Sequence, residues 1–382
     1  MENRMRFNKK TSDYLIELLR SVINEDSPKE KPEGVDWDDI YSLALFHKVD
    51  EMAFHAISKL TGKPEGREAL KWEKQHEKNQ IVNMVQTGEG ETIINEASAR
   101  GIDILPLKGS VLKNIYPNPE FRQMGDLDYL VLSDESTMKE MGKLLHELGY
   151  EDGEGVGLEA SHDVYIKPPY MEVEVHRRLL PTTEENHWHT DDIWDRLVKD
   201  EDNPHLMHMT PEDFYLFHLL HFEKHYSMGG SGIRSIIDQY YLMKNYGATM
   251  DFDYINKLLV KMNYVEFEAM CKNLAKAWFE DGLLNDELEQ SAEYIINSGA
   301  FGTFEQYQKW RFEQYRKQGI KTKKGLFFRR MFMERERMEN IYPSLKKHGW
   351  LLPFCWVHRL IKAVLFRRNK IKMEINSLRD KK

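Results

Sequence analysis

Two stretches of this chain combine residue types and spacing that could do chemistry: Leu107-Lys108-Gly109-Ser110, and Gly125-Asp126-Leu127-Asp128-Tyr129-Leu130-Val131. On an extended strand, residues two apart face one side at roughly 6.5–7 Å separation, so Asp126 and Asp128 present both carboxylates to one spot. Hard divalent cations such as Mg²⁺ take oxygen ligands of this kind, usually one or two carboxylates together with substrate phosphates. A glycine at a strand-to-helix turn lets backbone N–H groups approach a phosphate, and Ser110 adds a hydroxyl donor. Lys108 and Arg122 bring positive charge nearby. A third carboxylate comes from Met171-Glu172-Val173-Glu174-Val175-His176, where strand alternation sends Met171, Val173 and Val175 to a core and Glu172, Glu174 and His176 to the other face. Taken alone, each stretch has an ordinary alternative. Asp126 can end a loop with Asp128 on an exposed edge, Gly109-Ser110 can be a plain helix start, and residues 172–176 can be an amphipathic strand with a solvated acidic face.

Together the three stretches supply what a two-metal phosphoryl or nucleotidyl transfer needs: a turn for phosphates, paired carboxylates for metals, and a further carboxylate to bind or deprotonate an acceptor. On these residues the chain resembles the uncharacterised nucleotidyltransferase family of the DNA polymerase β superfold. The motifs that carry the resemblance are Leu107-Lys108-Gly109, Tyr116-Pro117, Arg122, the run from Asp126 to Val131, and Val173-Glu174-Val175-His176. It extends to the helices around Phe46-His47-Lys48-Val49 and to the segment from Tyr342-Pro343 to Trp356. The resemblance implies that Asp126, Asp128 and Glu174 bind two Mg²⁺ ions, with Mn²⁺ as a substitute, and act in catalysis. It also implies that Gly109 and Ser110, with Lys108 and Arg122, contact the triphosphate of an NTP. Fifteen residues separate Ser110 from Asp126, slightly more than is common in the superfold, and a longer helix or loop absorbs the difference.

A second constellation is His218, His221 and His225, three and four apart on a predicted helix and hence along one face. Helical His pairs at i and i+4 can bind zinc, but a metalloprotease needs Glu directly after the first His, and Glu223 comes two residues after the second. Histidines lining a cleft, or satisfied in a core, fit the pattern better. Arg234 and Asp238, four apart, read either as an ion pair within one helix or, for Arg234 together with His225, as substrate contacts.

The elements that must position these groups follow from periodicity. Helical spacing runs from Thr11, with Thr11 or Ser12 as N-cap, through residue 60, and a long polar helix follows from about Arg67 to Ala99, closed at Arg100-Gly101. Ile102 to Leu107 reads as a strand, Gly109 to Tyr116 as a short helix, Leu127 to Leu132 as a buried strand, and Glu135 to Leu148 as a helix. Asp163–Lys167 and Met171–His176 flank Pro168-Pro169-Tyr170 and read as an antiparallel pair. Beyond Pro181 the pattern returns to helices over Phe214–His225, Ile233–Tyr246, Tyr254–Phe279 and Asp286–Asn297, the first led by Thr210-Pro211-Glu212-Asp213. The expected class is α+β: a small mixed β-sheet nucleotidyltransferase core over residues 101–182, an N-terminal helical region over 1–100, a helical domain over 183–318 and a basic helical tail over 319–382.

Composition bounds the rest. With 382 residues, 41% hydrophobic and 12% aromatic, the chain can bury a sizeable core, which excludes disorder throughout. Two cysteines exclude a disulfide scaffold or a cysteine-built zinc site and fit a reducing, cytoplasmic setting. Residues 1–10 are polar and charged, so no secretory signal is expected. The net charge of -9 is unevenly placed, for residues 319–382 hold 18 Lys/Arg against 5 Asp/Glu. Trp350, Phe354, Trp356, Leu360 and Leu365 interleave there with Lys346, Lys347, Arg359 and Lys362, which suits either a helix docked on an acidic body or, over residues 345–382, an anionic membrane surface at the inner face. No stacking or base-reading motif accompanies the basic run Arg367–Lys372, so nucleic acid is not an expected partner. The expected partners are an NTP and an acceptor that is a small molecule, a saccharide or a protein. The competing expectation is a protein of the same fold that binds nucleotide, or acts as a scaffold, without transfer.

Overall fold

The computed structural model describes residues 7–153, 162–180, 192–317, 331–333, 335, 338–339 and 342–366. The chain falls into two compact units, 1–302 and 303–382.

The first unit begins with helices α1 (Lys9–Ile23), α2 (Trp37–His47), α3 (Asp50–Ile57) and the long α4 (Gly66–Ala99). Asn8, not Thr11 or Ser12, caps α1: its side chain accepts from the Lys10 N–H, and both hydroxyl residues are buried inside the helix. The helix thus starts about one turn before the expected cap, since Thr11 and Ser12 face the interior and leave the free N–H groups of the first turn to Asn8. Helix α4 ends as expected at Arg100, with Gly101 at φ 71°.

Five strands form a mixed sheet in the order β1-β2-β5-β4-β3: β1 (Ile104–Pro106), β2 (Leu127–Val131), β3 (Glu151–Asp152), β4 (His162–Lys167) and β5 (Met171–His176). Strands β2 and β5 are parallel, with Asp128 opposite Glu174 and Leu130 opposite His176; the other pairs are antiparallel. The β4–β5 pair turns at Pro168-Pro169, a cis bond, and sets His162 opposite His176. Short helix α5 (Gly109–Leu112) and two single 3₁₀ turns lie between β1 and β2, and α6 (Glu135–Glu147) follows β2. One sheet face, with Leu127, Tyr129, Val131, Val173 and Val175, packs under Ile93 and Ala97 of α4 and Met138, Met141, Leu144 and Leu145 of α6. Period-two alternation then sends Asp128, Leu130, Glu174 and His176 to the opposite face.

That second face meets the helical part of the unit, built from α7 (Pro211–Met228), α8 (Ile233–Tyr246), α9 (Phe252–Met262), α10 (Val265–Phe279) and α11 (Asp286–Ser298). Leu105, Leu107 and Leu130 of the sheet region share one apolar cluster with α1–α3 and with α7–α11. The helical run expected over 254–279 is two helices, because Asn263 adopts the left-handed conformation at φ 61° and closes α9. Two features escaped periodicity: β3, and a two-stranded ribbon of β6 (Val198–Lys199) and β7 (Met207–His208). Each of these strands is two residues long, too short to display alternation. Thr210 caps α7 through the Asp213 N–H, with Pro211 in the first turn as expected.

The second unit contains α12 (Phe304–Lys317) and α13 (Leu352–Phe366) among its described residues. Within it the Trp356 indole N–H donates to the Met333 carbonyl at 2.9 Å, and Tyr342 Oη meets His358 Nδ1 at 2.8 Å. The basic run 367–372 lies outside the described residues. Among the described residues no helix is long and apolar enough to cross a membrane.

Candidate functional site

The turn from β1 into α5 is the pivot of the site. Leu107 N–H donates to the Asp128 carbonyl at 2.9 Å, tying the turn to the central strand. Lys108 then turns the chain at φ 48°, ψ -119°, a region that L-residues seldom adopt. Gly109 follows with no room for a side chain, since an added Cβ would lie 2.8 Å from Met124 Cγ. The lysine so presented puts its Nζ 2.6 Å from Asp128 Oδ1 and 3.7 Å from Glu174 Oε2.

Asp126, Asp128 and Glu174 are brought together from two parallel strands and the turn before β2, each offering one oxygen within 4.8 Å of the others. Asp128 stands on a central strand and is 1% exposed, not on an open edge. Burial pushes its carboxyl up, but Lys108 and the hydrogen bond from His176 outweigh this and hold it well below the ordinary range. Asp126 lacks such close partners. Burial first, then the neighbouring Asp128 charge, raises it to about 6 against the pull of Lys108. His176 Nε2 lies 2.8 Å from Asp128 Oδ1 and 3.1 Å from Glu174 Oε2; burial alone would lower this imidazole, but the two acidic hydrogen bonds raise it. Three hard oxygen donors converging on one point, with a lysine ammonium among them balancing the charge, form a donor set that fits a divalent cation.

A cavity of about 300 Å³ opens over this cluster, lined on the sheet side by Lys108, Gly109, Asp126, Asp128, Glu174 and His176. Its other wall is cationic: Lys224 of α7 and Arg234 of α8 come from the helices, and Arg178 from the segment just past β5. Burial, then the charge of Arg122, lowers Arg234 to about 10. Its Nη1 donates to the Gln123 carbonyl at 2.9 Å. His221 and His225 line the same wall with their Nε2 atoms 3.1 Å apart, and desolvation holds both imidazoles below their ordinary value.

The remaining expected residues are placed differently from one another. Arg122 reaches the cavity wall, but its guanidinium is engaged: Nε and Nη2 donate to the two Asp238 oxygens at 2.7 and 2.9 Å, and Nη1 donates to the Gln123 carbonyl at 2.8 Å. Asp238 also accepts from the Tyr116 hydroxyl at 2.7 Å. The partner of Asp238 is thus an arginine 116 residues away, where local spacing offered Arg234. Ser110 Oγ donates to the Leu107 carbonyl at 3.1 Å, and Ser110 is not among the residues lining the cavity. His218 is buried against Gln239, 3.2 Å from its Oε1. Sequence reasoning missed His162, Arg178 and Lys224. For His162 a signal existed, since counting back from the Pro168-Pro169 turn sets it across from His176.

No curated protein matches the chain. A model of a protein family described as uncharacterised nucleotidyltransferase matches residues 33–280, a span that contains the turn at Lys108, all three carboxylates and the cationic helices α7 and α8. With well over half of its length matched, and with the mixed sheet and converging carboxylates in place, the chain belongs to this uncharacterised nucleotidyltransferase family.

Proposed function

We propose that the protein transfers a nucleoside monophosphate from an NTP to a hydroxyl or similar group of an acceptor, releasing pyrophosphate, with Mg²⁺ or Mn²⁺ bound by Asp126, Asp128 and Glu174. Bound ions at such a site would supply charge neutralisation of the phosphates and polarisation of the phosphorus under attack. In this reading Asp126 and Asp128 anchor the metal side. Glu174, on β5 opposite Asp128, accepts the proton of the acceptor oxygen as that oxygen bonds to the α-phosphorus and the bond to pyrophosphate breaks. Lys108, Lys224, Arg178 and Arg234 bind and orient the triphosphate, while the backbone at Gly109 lets it approach closely. The observation that carries the reading is the meeting of the three carboxylates within 4.8 Å beneath a cationic wall. Purified protein incubated with Mg²⁺, labelled NTPs and a panel of small-molecule, saccharide and protein acceptors should transfer label, and Asp128→Asn should abolish the transfer. Full activity in that variant would end the proposal.

A second reading is favoured by the Lys108 ammonium at 2.6 Å from Asp128: a lysine resident among the carboxylates suits a protein that binds nucleotide without transferring it. Thermal stabilisation by NTP with no pyrophosphate release across the acceptor panel would support this reading against the first.

For location, the exposed residues Trp350, Phe354, Val357 and Ile361 recur at helical spacing on and just before α13. With the basic composition of residues 319–382, this stripe supports a peripheral contact with anionic lipid at the cytoplasmic side of a membrane. Flotation with phosphatidylserine vesicles should carry the full chain and fail for Trp350→Ser/Phe354→Ser; equal flotation of both would remove this reading.

A further inference from the structure

The β4–β5 hairpin assembles a second donor set beside the carboxylates. Register places His162 directly across from His176, and Glu174 lies two residues before His176 on the same face. His176 Nε2 is 3.1 Å from Glu174 Oε2, and His162 Nε2 is 3.5 Å from Glu174 Oε1, with all three donor atoms within 4.8 Å of one another. A first-row metal bound at about 2.0–2.2 Å to N and O ligands sets its neighbouring donors about 3.0–3.6 Å apart; each histidine stands at such a distance from one Glu174 oxygen, and the three residues close on a common ion from within 4.8 Å. The three residues also line the cavity, which gives an ion a path from solvent.

The chemistry of this set differs from that of its neighbour. Asp126 and Asp128 offer oxygen alone, whereas His162 and His176 offer imidazole nitrogen, and Glu174 stands between the two with one oxygen directed to each histidine. Oxygen-only sites suit Mg²⁺; imidazole suits the later first-row divalent cations. We propose that His162, Glu174 and His176 form a second divalent-cation site, joined to the carboxylate site through Glu174 and selective for first-row transition ions over Mg²⁺, most strongly for Co²⁺ or Zn²⁺ and less so for the EPR-visible Mn²⁺. The site deepens the transferase reading and rests on it in sharing Glu174 and in using the His176 Nε2 that otherwise meets Asp128 Oδ1 at 2.8 Å. It makes the centre asymmetric, with one position open to Mg²⁺ and one that prefers a transition ion.

The test is Mn²⁺ binding by the full-length chain, followed by continuous-wave EPR for stoichiometry and by pulsed EPR for coupling to ¹⁴N. The wild type should bind two equivalents, one of them nitrogen-coupled and resistant to about a hundredfold excess of Mg²⁺. His162→Ala should weaken that equivalent by about tenfold or more. Asp126→Asn should leave it in place while removing the oxygen-only one. Circular dichroism of each variant guards against misfolding, and Co²⁺ absorption spectra of the wild type give a reading independent of any variant. Bound Mn²⁺ without nitrogen coupling, or a nitrogen-coupled equivalent unaffected by His162→Ala, overturns the second site and leaves nucleotidyl transfer standing. Absence of label transfer by the wild type across the acceptor panel ends the transferase reading instead, and the nitrogen-coupled ion is unaffected by that result.

Discussion

The Lys108 ammonium sits 2.6 Å from Asp128 Oδ1, held there by a backbone at φ 48° that few lysines adopt. Burial works against the charged amine, but Asp128 and Asp126 more than compensate, so its proton is held more tightly than usual. A strained backbone residue persists only where its surroundings over-determine it, at a cost of order 1–3 kcal/mol. Here the surroundings are a carboxylate cluster that needs a cation.

Lys108 and an incoming divalent ion therefore compete for Asp128. Lys108→Met keeps the length of the side chain and removes its charge. Isothermal titration without nucleotide should show tighter Mn²⁺ binding in the variant, and label transfer should fall by about 10²-fold or more, the usual cost of losing one preorganised electrostatic contact. Weaker metal binding in the variant would contradict the competition.

The Arg122–Asp238 pair is buried at the cavity wall and shares its carboxylate with Tyr116. Breaking such a pair from one side leaves a buried charge unmatched, at about 3–5 kcal/mol. Urea denaturation should show that loss for Arg122→Met, while the double variant Arg122→Met/Asp238→Leu should recover most of it. A single variant within about 1 kcal/mol of wild type would reduce the pair to a bystander.

His47 bridges the helical core as a neutral ring. Its Nε2–H donates to the Ile296 carbonyl at 3.0 Å, and its Nδ1 accepts from the Ile233 N–H at 3.1 Å. Burial lowers its pKa to about 3. Above the ordinary value of about 6.5 both folded and unfolded chains carry the neutral ring, and this residue gives stability no pH dependence. Between about 6.5 and 3 the unfolded chain binds the proton and the folded one does not, so stability falls as pH falls, by about 1.4 kcal/mol per unit. Denaturation series at successive pH values should show this slope reduced in His47→Gln. Identical slopes would remove His47 as the source.

Gly109 has its own prediction. An alanine there would press its Cβ against Met124 Cγ at 2.8 Å and Sδ at 2.9 Å, and Met124 is a flexible side chain that lines the cavity. Gly109→Ala should destabilise the protein by about 1–3 kcal/mol through overpacking and weaken NTP binding in a thermal-shift titration. Gly109→Ala/Met124→Ala should restore both, whereas a double variant no better than the single one would mean that the backbone at residue 109, rather than the space beside it, is what matters.

The β2 strand shows how much was readable in advance. Its alternation around Asp126-Leu127-Asp128 put the carboxylates on one face, and β5 did the same for Glu174 and His176, because period-two geometry is local and survives in any sheet. The nearness of Glu174 to Asp128 was an expectation drawn from family resemblance; what makes it so is the parallel pairing of β2 with β5, a contact 46 residues apart that no local pattern encodes. The Lys108 conformation was likewise invisible, since nothing in Leu-Lys-Gly announces which residue takes the positive φ. In sequence Arg122 reads as a triphosphate contact and Asp238 as a member of a helical ion pair with Arg234, and only packing joins Arg122 to Asp238.

By itself the sequence determined the order and type of the longer elements, the basic character of residues 319–382 and which side chains could serve as ligands, for these depend on composition and on neighbours within a few positions. The tertiary structure decided which ligands meet, that the cationic wall comes from α7 and α8, and that His162 joins His176 and Glu174. Those outcomes follow from strand order and helix packing, in which the burial of apolar surface by residues far apart in the chain fixes where the few charged groups are held.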